Sequence, residues 1–221
     1  MSILIKFSGE FFTPSDSMSL EGEKFLDQIV QIDPCYIVTG GGNRLRGRDS
    51  NYDRNAADNI GVLSTLMNAF ILKENFRLRG KEAVIFSHFS DFGIPYDPSK
   101  AKQAIKDGKF VIFGSGLGKV GYVSTDTASV IKALEVGAAG VVKITKVGGV
   151  FDKLPIDENS KLLDFVSYDF LLEKGFDVLD LPALALAKCN NLSVAVMDVQ
   201  SFRSFLKGEK VGSIIGSDFR K

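Results

Sequence analysis

Histidine, cysteine and proline are scarce in this chain: its 221 residues hold one histidine, two cysteines and six prolines. Cys35 and Cys189 stand far apart, which excludes a disulfide framework and any paired metal-ligand spacing such as C-x-x-C. Both fall in or beside apolar segments and are expected as buried free thiols. The single histidine, His88, follows the apolar run AVIFS and reads as an ordinary strand-end or surface residue. Net charge is missing as well, since Lys+Arg and Asp+Glu each total 27. No overall basic field points to nucleic acid, which needs clustered positive charge, although a local cluster still suits a small anionic ligand. No run approaches the roughly 18 apolar residues of a membrane span. The opening MSILIKFSGE turns polar too soon for a signal peptide. The expectation is a soluble cytoplasmic protein.

What is present suits one domain over residues 1–221, because 45 % hydrophobic residues can build a sizeable core. Short β-branched or aromatic runs recur and end in small residues: ILIKFSG, YIVTGGG, AVIFS, FVIFGSG, GVVKITKVGG and SVAVMDV. Apolar on nearly every position, they read as strands covered on both faces. Helical patterns alternate with them. Ile60, Leu63, Met67, Phe70 and Ile71 recur every three to four residues within 56–75. Asp97-Pro98 opens a helix over 97–107 as an N-cap followed by proline in the first turn. A further helix starts near Thr125, another runs from Ser167 to Lys174 and closes at Gly175, and Leu181-Pro182 begins one after Asp180. Such alternation predicts an α/β fold with a largely parallel sheet. Thr13–Ser19 and Leu154–Ser160 are the most loop-like segments.

Ligands of open α/β sheets sit beyond the carboxyl ends of the strands. Those ends carry Ser8-Gly9, Gly40-Gly41-Gly42-Asn43, Gly114-Ser115-Gly116 and Gly148-Gly149, whose backbones can approach phosphate oxygens closely. Gly116, Gly118 and Gly121 also spell G-x-G-x-x-G. A dinucleotide fingerprint, however, opens its helix at the last glycine and places an acidic residue about 20 positions on. Here Tyr122-Val123-Ser124 intervenes, and the next strand ends in lysine. A phosphate-binding P-loop fails too, because Phe113 and Val120 stand where glycine and Ser/Thr are required.

Several charged residues stand beside these loops. Lys6, in the apolar run IKFSGE, either snorkels to solvent or faces the glycine loops as a point charge for a phosphoryl group. Arg44, Arg46, Arg48 and Arg54 follow the Gly40–Asn43 loop, as a solvated surface or as a phosphate clamp. Asp58, four residues after Arg54, either caps a helix, pairs with Arg54 or binds a ribose hydroxyl. Asp126, in S-T-D-T, is a helix cap or a carboxylate that orients lysines or a metal beside bound phosphates.

Lys6-Phe-Ser-Gly-Glu10, Gly40-Gly-Gly-Asn43 with Arg46-Gly47, Asp53-Arg54 through Ala57-Asp58, Gly61 and Leu63, Ser124-Thr-Asp-Thr-Ala128, Thr145-Lys-Val with Gly149-Val-Phe151, and Asp180-Leu-Pro-Ala183 together carry a likeness. In order and spacing the chain resembles the uridylate kinase branch of the amino acid kinase family over nearly its whole length. The resemblance implies a three-layer α/β/α sandwich and ATP-dependent phosphorylation of UMP to UDP with Mg²⁺. It places Lys6, Ser8, Gly9, Gly42 and Arg46 at the ATP phosphates, with Lys6 neutralising the transferring group and Arg46 assisting catalysis. Thr145 and Phe151 would contact ATP towards its adenosine end. Gly41, Arg54, Asp58, Gly116, Ser124 and Thr125 would hold UMP, and Asp126 would organise the catalytic lysine. A homohexamer with GTP and UTP as effectors is also implied. Two departures stand out: Gly148 and Leu154 replace aspartates of the family pattern T-K-V-D-G-V-[YF]-x-x-D-P. The uridylate loop, Gly114–Asp126, is also about three residues longer than usual.

Phosphoryl transfer is mostly positioning and charge neutralisation. An acceptor phosphate is already ionised at neutral pH and needs no general base, in keeping with the lone histidine. Magnesium can be held largely by phosphates and water, so no protein metal ligand is assigned. Two rivals remain: a relative with another acceptor (an acylamino acid, carbamate or a different nucleotide), and a catalytically weak nucleotide-binding regulator.

Overall fold

All six apolar runs become strands of one sheet in the computed structural model, which describes residues 2–45, 51–118, 120–153, 160–176 and 178–219. They are β1 (Leu4–Phe7), β2 (Tyr36–Thr39), β3 (Ala83–Ser87), β5 (Phe110–Phe113), β6 (Val141–Ile144) and β8 (Val194–Met197). Three short strands extend the edges: β4 (Ile94–Pro95), β7 (Phe165–Val166) and β9 (Ser213–Ile215). Among the described residues the order is β4-β3-β5-β2-β1-β6-β8-β9-β7. Every neighbouring pair is parallel except β8 with β9.

Alternate strand residues enter two separate cores, one on each face, as a sheet buried on both sides requires. Ile5, Phe7, Ile37, Ile85 and Ile112 pack with α1 (Leu20–Ile29), α2 (Arg54–Leu78) and α7 (Phe202–Leu206). Leu4, Tyr36, Val38, Val111 and Phe113 face α3 (Pro98–Lys106), α4 (Thr125–Val136), α5 (Tyr168–Lys174) and α6 (Leu181–Cys189). The result is an α/β/α sandwich with a largely parallel sheet.

The helix starts follow local chemistry. Asp97 accepts from the backbone N–H of Ser99 and Lys100 to open α3, and Asp180 accepts from Ala183 to open α6, each just ahead of a proline in the first turn. α5 ends at Gly175 with φ of 67°, the left-handed stop expected of a C-terminal glycine.

The structure refines the reading of α2 and corrects one expectation, that of a buried Cys189. Of the stripe that marks α2 in the sequence, Ile71 packs against the core, while Ile60, Leu63, Met67 and Phe70 are 39–51 % exposed. Ala57, Leu66, Ala69, Leu72 and Phe76 pack inward instead, so the helix is apolar on two faces. Cys35 is buried, and burial pushes its thiol pKa up, but Cys189 closes α6 on the exposed side. The loop expected over Leu154–Ser160 lies outside the described residues apart from Ser160. Among the described residues no helix is long and apolar enough to cross a membrane.

Candidate functional site

Two lysines meet where β1 and β6 run side by side. Lys6 is in register with Lys143, and both project to the face covered by α4, since Leu4 and Val141 on the same alternation pack there. Like charges on adjacent strands repel at the ~4.8 Å strand spacing and call for a counter-ion. Asp126, in the first turn of α4, provides it. Its Oδ2 accepts from Lys143 Nζ at 2.6 Å, and its Oδ1 lies 3.3 Å from Lys6 Nζ. The three side chains are only 13–15 % exposed. Burial by itself would raise the Asp126 pKa, but the charges of Lys6 and Lys143 outweigh it and hold the carboxyl below the usual aspartate range.

The helix-cap reading of Asp126 is resolved by its neighbour. Ser124 Oγ accepts from the N–H of Asp126 and Thr127 at 3.0 and 3.1 Å, so Ser124 is the cap and the aspartate is freed for the lysines. Lys143 is further fixed by donating to the Val178 carbonyl at 2.5 Å. Lys6 has the longer contact of the two with the carboxylate. The group carries two positive charges against one negative and sits beside the electropositive N-terminus of α4. Its residual charge suits an anion.

Next to it three backbones converge. A Cβ on Gly9 would lie 2.6 Å from Gly42 N, one on Gly40 would lie 2.6 Å from Gly9 N, and one on Gly41 would lie 2.7 Å from Gly61 O. Only glycine permits this approach of the β1 end, the β2 end and α2. Buried Asn68 of α2 ties the cradle down, donating to Gly40 O at 2.7 Å and to Asn43 Oδ1 at 2.8 Å. Ser8 stands at the entrance to this cradle, where its Oγ accepts from Glu10 N.

The Gly114–Asp126 loop folds back onto α2. Ser115, Gly116, Gly118 and Tyr122 all adopt positive φ. Ser115 Oγ accepts from His88 N at 2.9 Å at the end of β3, which holds the base of the loop. Asp58 holds the tip: Arg54 Nε donates to both its oxygens at 3.0 Å, and Tyr122 N donates to Oδ2 at 2.8 Å. The Arg54 guanidinium also lies 4.9 Å from the Tyr122 ring centroid. Of the three roles open to Asp58, capping is therefore excluded. Asp53 caps α2, accepting from Asn55 and Ala56. Arg44 pairs with Asp16. Arg46 and Arg48 lie outside the described residues, as does Leu154.

Beyond β6 the chain makes a different kind of loop. Thr145 Oγ1 accepts from Gly148 N at 3.3 Å, and Phe151 bridges antiparallel to Leu162. Asp152 accepts from Lys161 N at 2.8 Å and so closes this loop. Among the described residues no group of three or more His, Cys, Asp or Glu side chains gathers as a metal holder. Lys143 is the member of the site that motif reading passed over; its signal was a lysine inside the apolar run GVVKITKV.

This largely parallel three-layer fold has counterparts among known proteins. The amino acid kinase family profile matches residues 1–198. A uridylate kinase of Legionella pneumophila (strain Corby) is 32 % identical over 235 residues, covering 98 % of this chain and 94 % of its own. The chloroplastic uridylate kinase PUMPKIN of Arabidopsis thaliana is 34 % identical over 232 residues, covering 97 % of this chain and 68 % of its own. The crystal structure of UMP kinase from Bacillus anthracis superposes with a TM-score of 0.88 at 29 % identity, covering 98 % of this chain and 96 % of that one. The chain belongs to the amino acid kinase family.

Proposed function

We propose that this protein is a UMP kinase, transferring the γ-phosphoryl group of ATP to UMP to give UDP and ADP. The observation that carries this reading is the Lys6–Asp126–Lys143 group beside the glycine cradle. In this reading ATP phosphates lie against Ser8, Gly9 and Gly42, with Arg46 on the same side. Thr145 and Phe151 line the way to the adenosine. UMP lies across Gly41, the Arg54–Asp58 pair, Gly116 and the Ser124–Thr125 helix start. An ionised phosphate oxygen of UMP attacks the γ-phosphorus, the bond to the β-phosphate oxygen of ATP breaks, and no proton need be removed by the protein. Lys6, the more loosely paired lysine, turns from Asp126 to the transferring group while Lys143 stays anchored. Charge neutralisation of this kind is the main protein contribution to phosphoryl transfer.

The donor set supports magnesium carried by the nucleotide. Asp126, the carboxylate of the transfer centre, is already engaged by two ammonium groups, so the metal's ligands would be phosphate oxygens and water. It would supply further neutralisation of the triphosphate.

Assembly of several copies fits the second apolar face of α2, where Ile60, Leu63, Met67 and Phe70 stay exposed. By resemblance the assembly is a homohexamer responsive to GTP and UTP, and the setting is the cytoplasm. An acylamino acid or carbamate acceptor is not favoured. The loop tip latched to Asp58 frames a nucleoside phosphate, which those acceptors lack.

The test is ADP release from Mg-ATP with UMP, CMP, AMP, GMP, carbamate and N-acetylglutamate in turn. Turnover confined to UMP is expected. Turnover with a different acceptor overturns the assignment, and binding without turnover moves it to a non-catalytic relative.

A further inference from the structure

Asp198 follows the last residue of β8 and has no part in the motifs above. Its Oδ1 accepts from Ser201 N at 2.8 Å, shaping the turn into α7. Its Oδ2 faces Gly148, where an added Cβ would lie 3.1 Å from it. Gly148 has φ of 80°, so the loop after β6 both curls in a glycine conformation and leaves its side-chain space to this carboxylate. Glu10 pairs with Lys146 at 3.5 Å and Asp152 closes its own loop on Lys161 N. Among the described residues no lysine or arginine forms a salt bridge with Asp198, which is half-buried.

Strand register fixes where this carboxylate stands. Lys6 is in register with Lys143, and Lys143 with Val196, so the three form one row across the sheet. Asp198 lies two residues further along β8. With strands ~4.8 Å apart and a rise of ~3.3 Å per residue, its Cα is about 12 Å from that of Lys6. That is too far to touch the phosphoryl group in transfer. A nucleotide with its terminal phosphate at Lys6 and its triphosphate running along this edge would bring its sugar there. A carboxylate at the end of a strand accepts readily from ribose hydroxyls, which carry two adjacent donors.

We propose that Asp198 is a specificity residue for the phosphate donor, accepting a hydrogen bond from a ribose hydroxyl through Oδ2 while Oδ1 holds the α7 turn. The proposal rests on the donor lying along the β1–β6–β8 edge, as in the UMP kinase reading. It gives the enzyme a preference for ribonucleotide over deoxyribonucleotide donors that is independent of the acceptor site.

The test is calorimetric binding of Mg-ATP, Mg-2′-deoxy-ATP and Mg-3′-deoxy-ATP to the full chain without UMP. Wild type is compared with Asp198→Asn and Asp198→Ser, both of which keep an oxygen able to cap Ser201. Wild type is expected to bind ATP about tenfold more tightly than at least one deoxy form, as for loss of one charge-assisted hydrogen bond. Both variants should lose this tenfold, bind the corresponding deoxy form as before, and keep wild-type UMP affinity. Equal wild-type affinity for all three nucleotides, or discrimination that survives in the variants, overturns the proposal. So does an equal weakening of all three, which marks Asp198 as structural only. Wild type that binds UMP but no ATP overturns the donor reading itself, and this proposal with it.

Discussion

The transfer centre and the loop beyond β6 differ in how their side chains are held. At the centre the supporting groups are braced from a second element, Lys143 by Asp126 and the Val178 carbonyl, the Gly40 loop by Asn68 and the Gly114–Asp126 loop by Asp58, while Lys6 keeps a longer contact with Asp126. In the loop after Thr145 the polar side chains bond within the loop, Thr145 with Gly148 and Asp152 with Lys161, while Val150 N donates to Ser213 Oγ of β9 at 2.8 Å; two family aspartates are replaced here, at Gly148 and Leu154. The contrast is physical. A frame that must hold two nucleotides in line for transfer cannot shift by an ångström without loss, whereas sugar and base recognition can be taken over by a carboxylate from the neighbouring strand.

That comparison can be broken most directly at Lys6. Lys6→Ala is expected to lower kcat by about 10²–10³ while UMP affinity stays near wild type, measured by ADP release and calorimetry. Equal turnover in the two proteins would remove the transfer centre from the account. Next comes the brace. Asp126→Asn leaves two lysines without their counter-ion and is expected to cost about 3 kcal/mol in urea unfolding at neutral pH. Because the Asp126 pKa is lowered in the folded state, its contribution is fully present above the ordinary aspartate pKa of ~3.9. It is lost as pH falls through the lowered value. Wild-type and Asn stabilities should therefore converge in acid, and a constant gap down to pH 2 would contradict the pairing.

A smaller effect belongs to the uridylate loop. Asp58→Ala removes the acceptor of Arg54 and Tyr122, and UMP binding should weaken about tenfold with ATP binding unchanged. Weakened ATP with intact UMP would reverse the site map. The mildest change is at the exposed face of α2. Leu63→Lys should shift the mass seen by light scattering towards smaller species and leave the far-ultraviolet dichroism unaltered. An unchanged assembly would place the interface elsewhere.

The long strands were legible because each is a mainly apolar run, four of the six emptying into glycine. The strands β4, β7 and β9, of two or three residues, are too short to show any period. α1 went unread for a related reason. Gly22 in its first turn looks like a break, yet a Cβ there would lie 2.5 Å from the Phe11 carbonyl, so packing requires the glycine. α2 was legible as a helix but not in its orientation, because two apolar faces give periodicity no way to choose the inner one. The same limit holds at the site. Motif spacing assembled Lys6, Asp126 and the glycine loops, but Lys143 and Asp198 emerge only from register, which sets side by side residues that are far apart in the chain.

The central claim is that the Lys6–Asp126–Lys143 group moves a phosphoryl group between nucleotides. Its most direct test follows the label from γ-³²P-ATP in the presence of UMP and Mg²⁺, for wild type and Lys6→Ala side by side. Label in UDP with the wild type, and its near-absence with Lys6→Ala, is the predicted result. Label released as inorganic phosphate, or reaching UDP equally in both proteins, would contradict it.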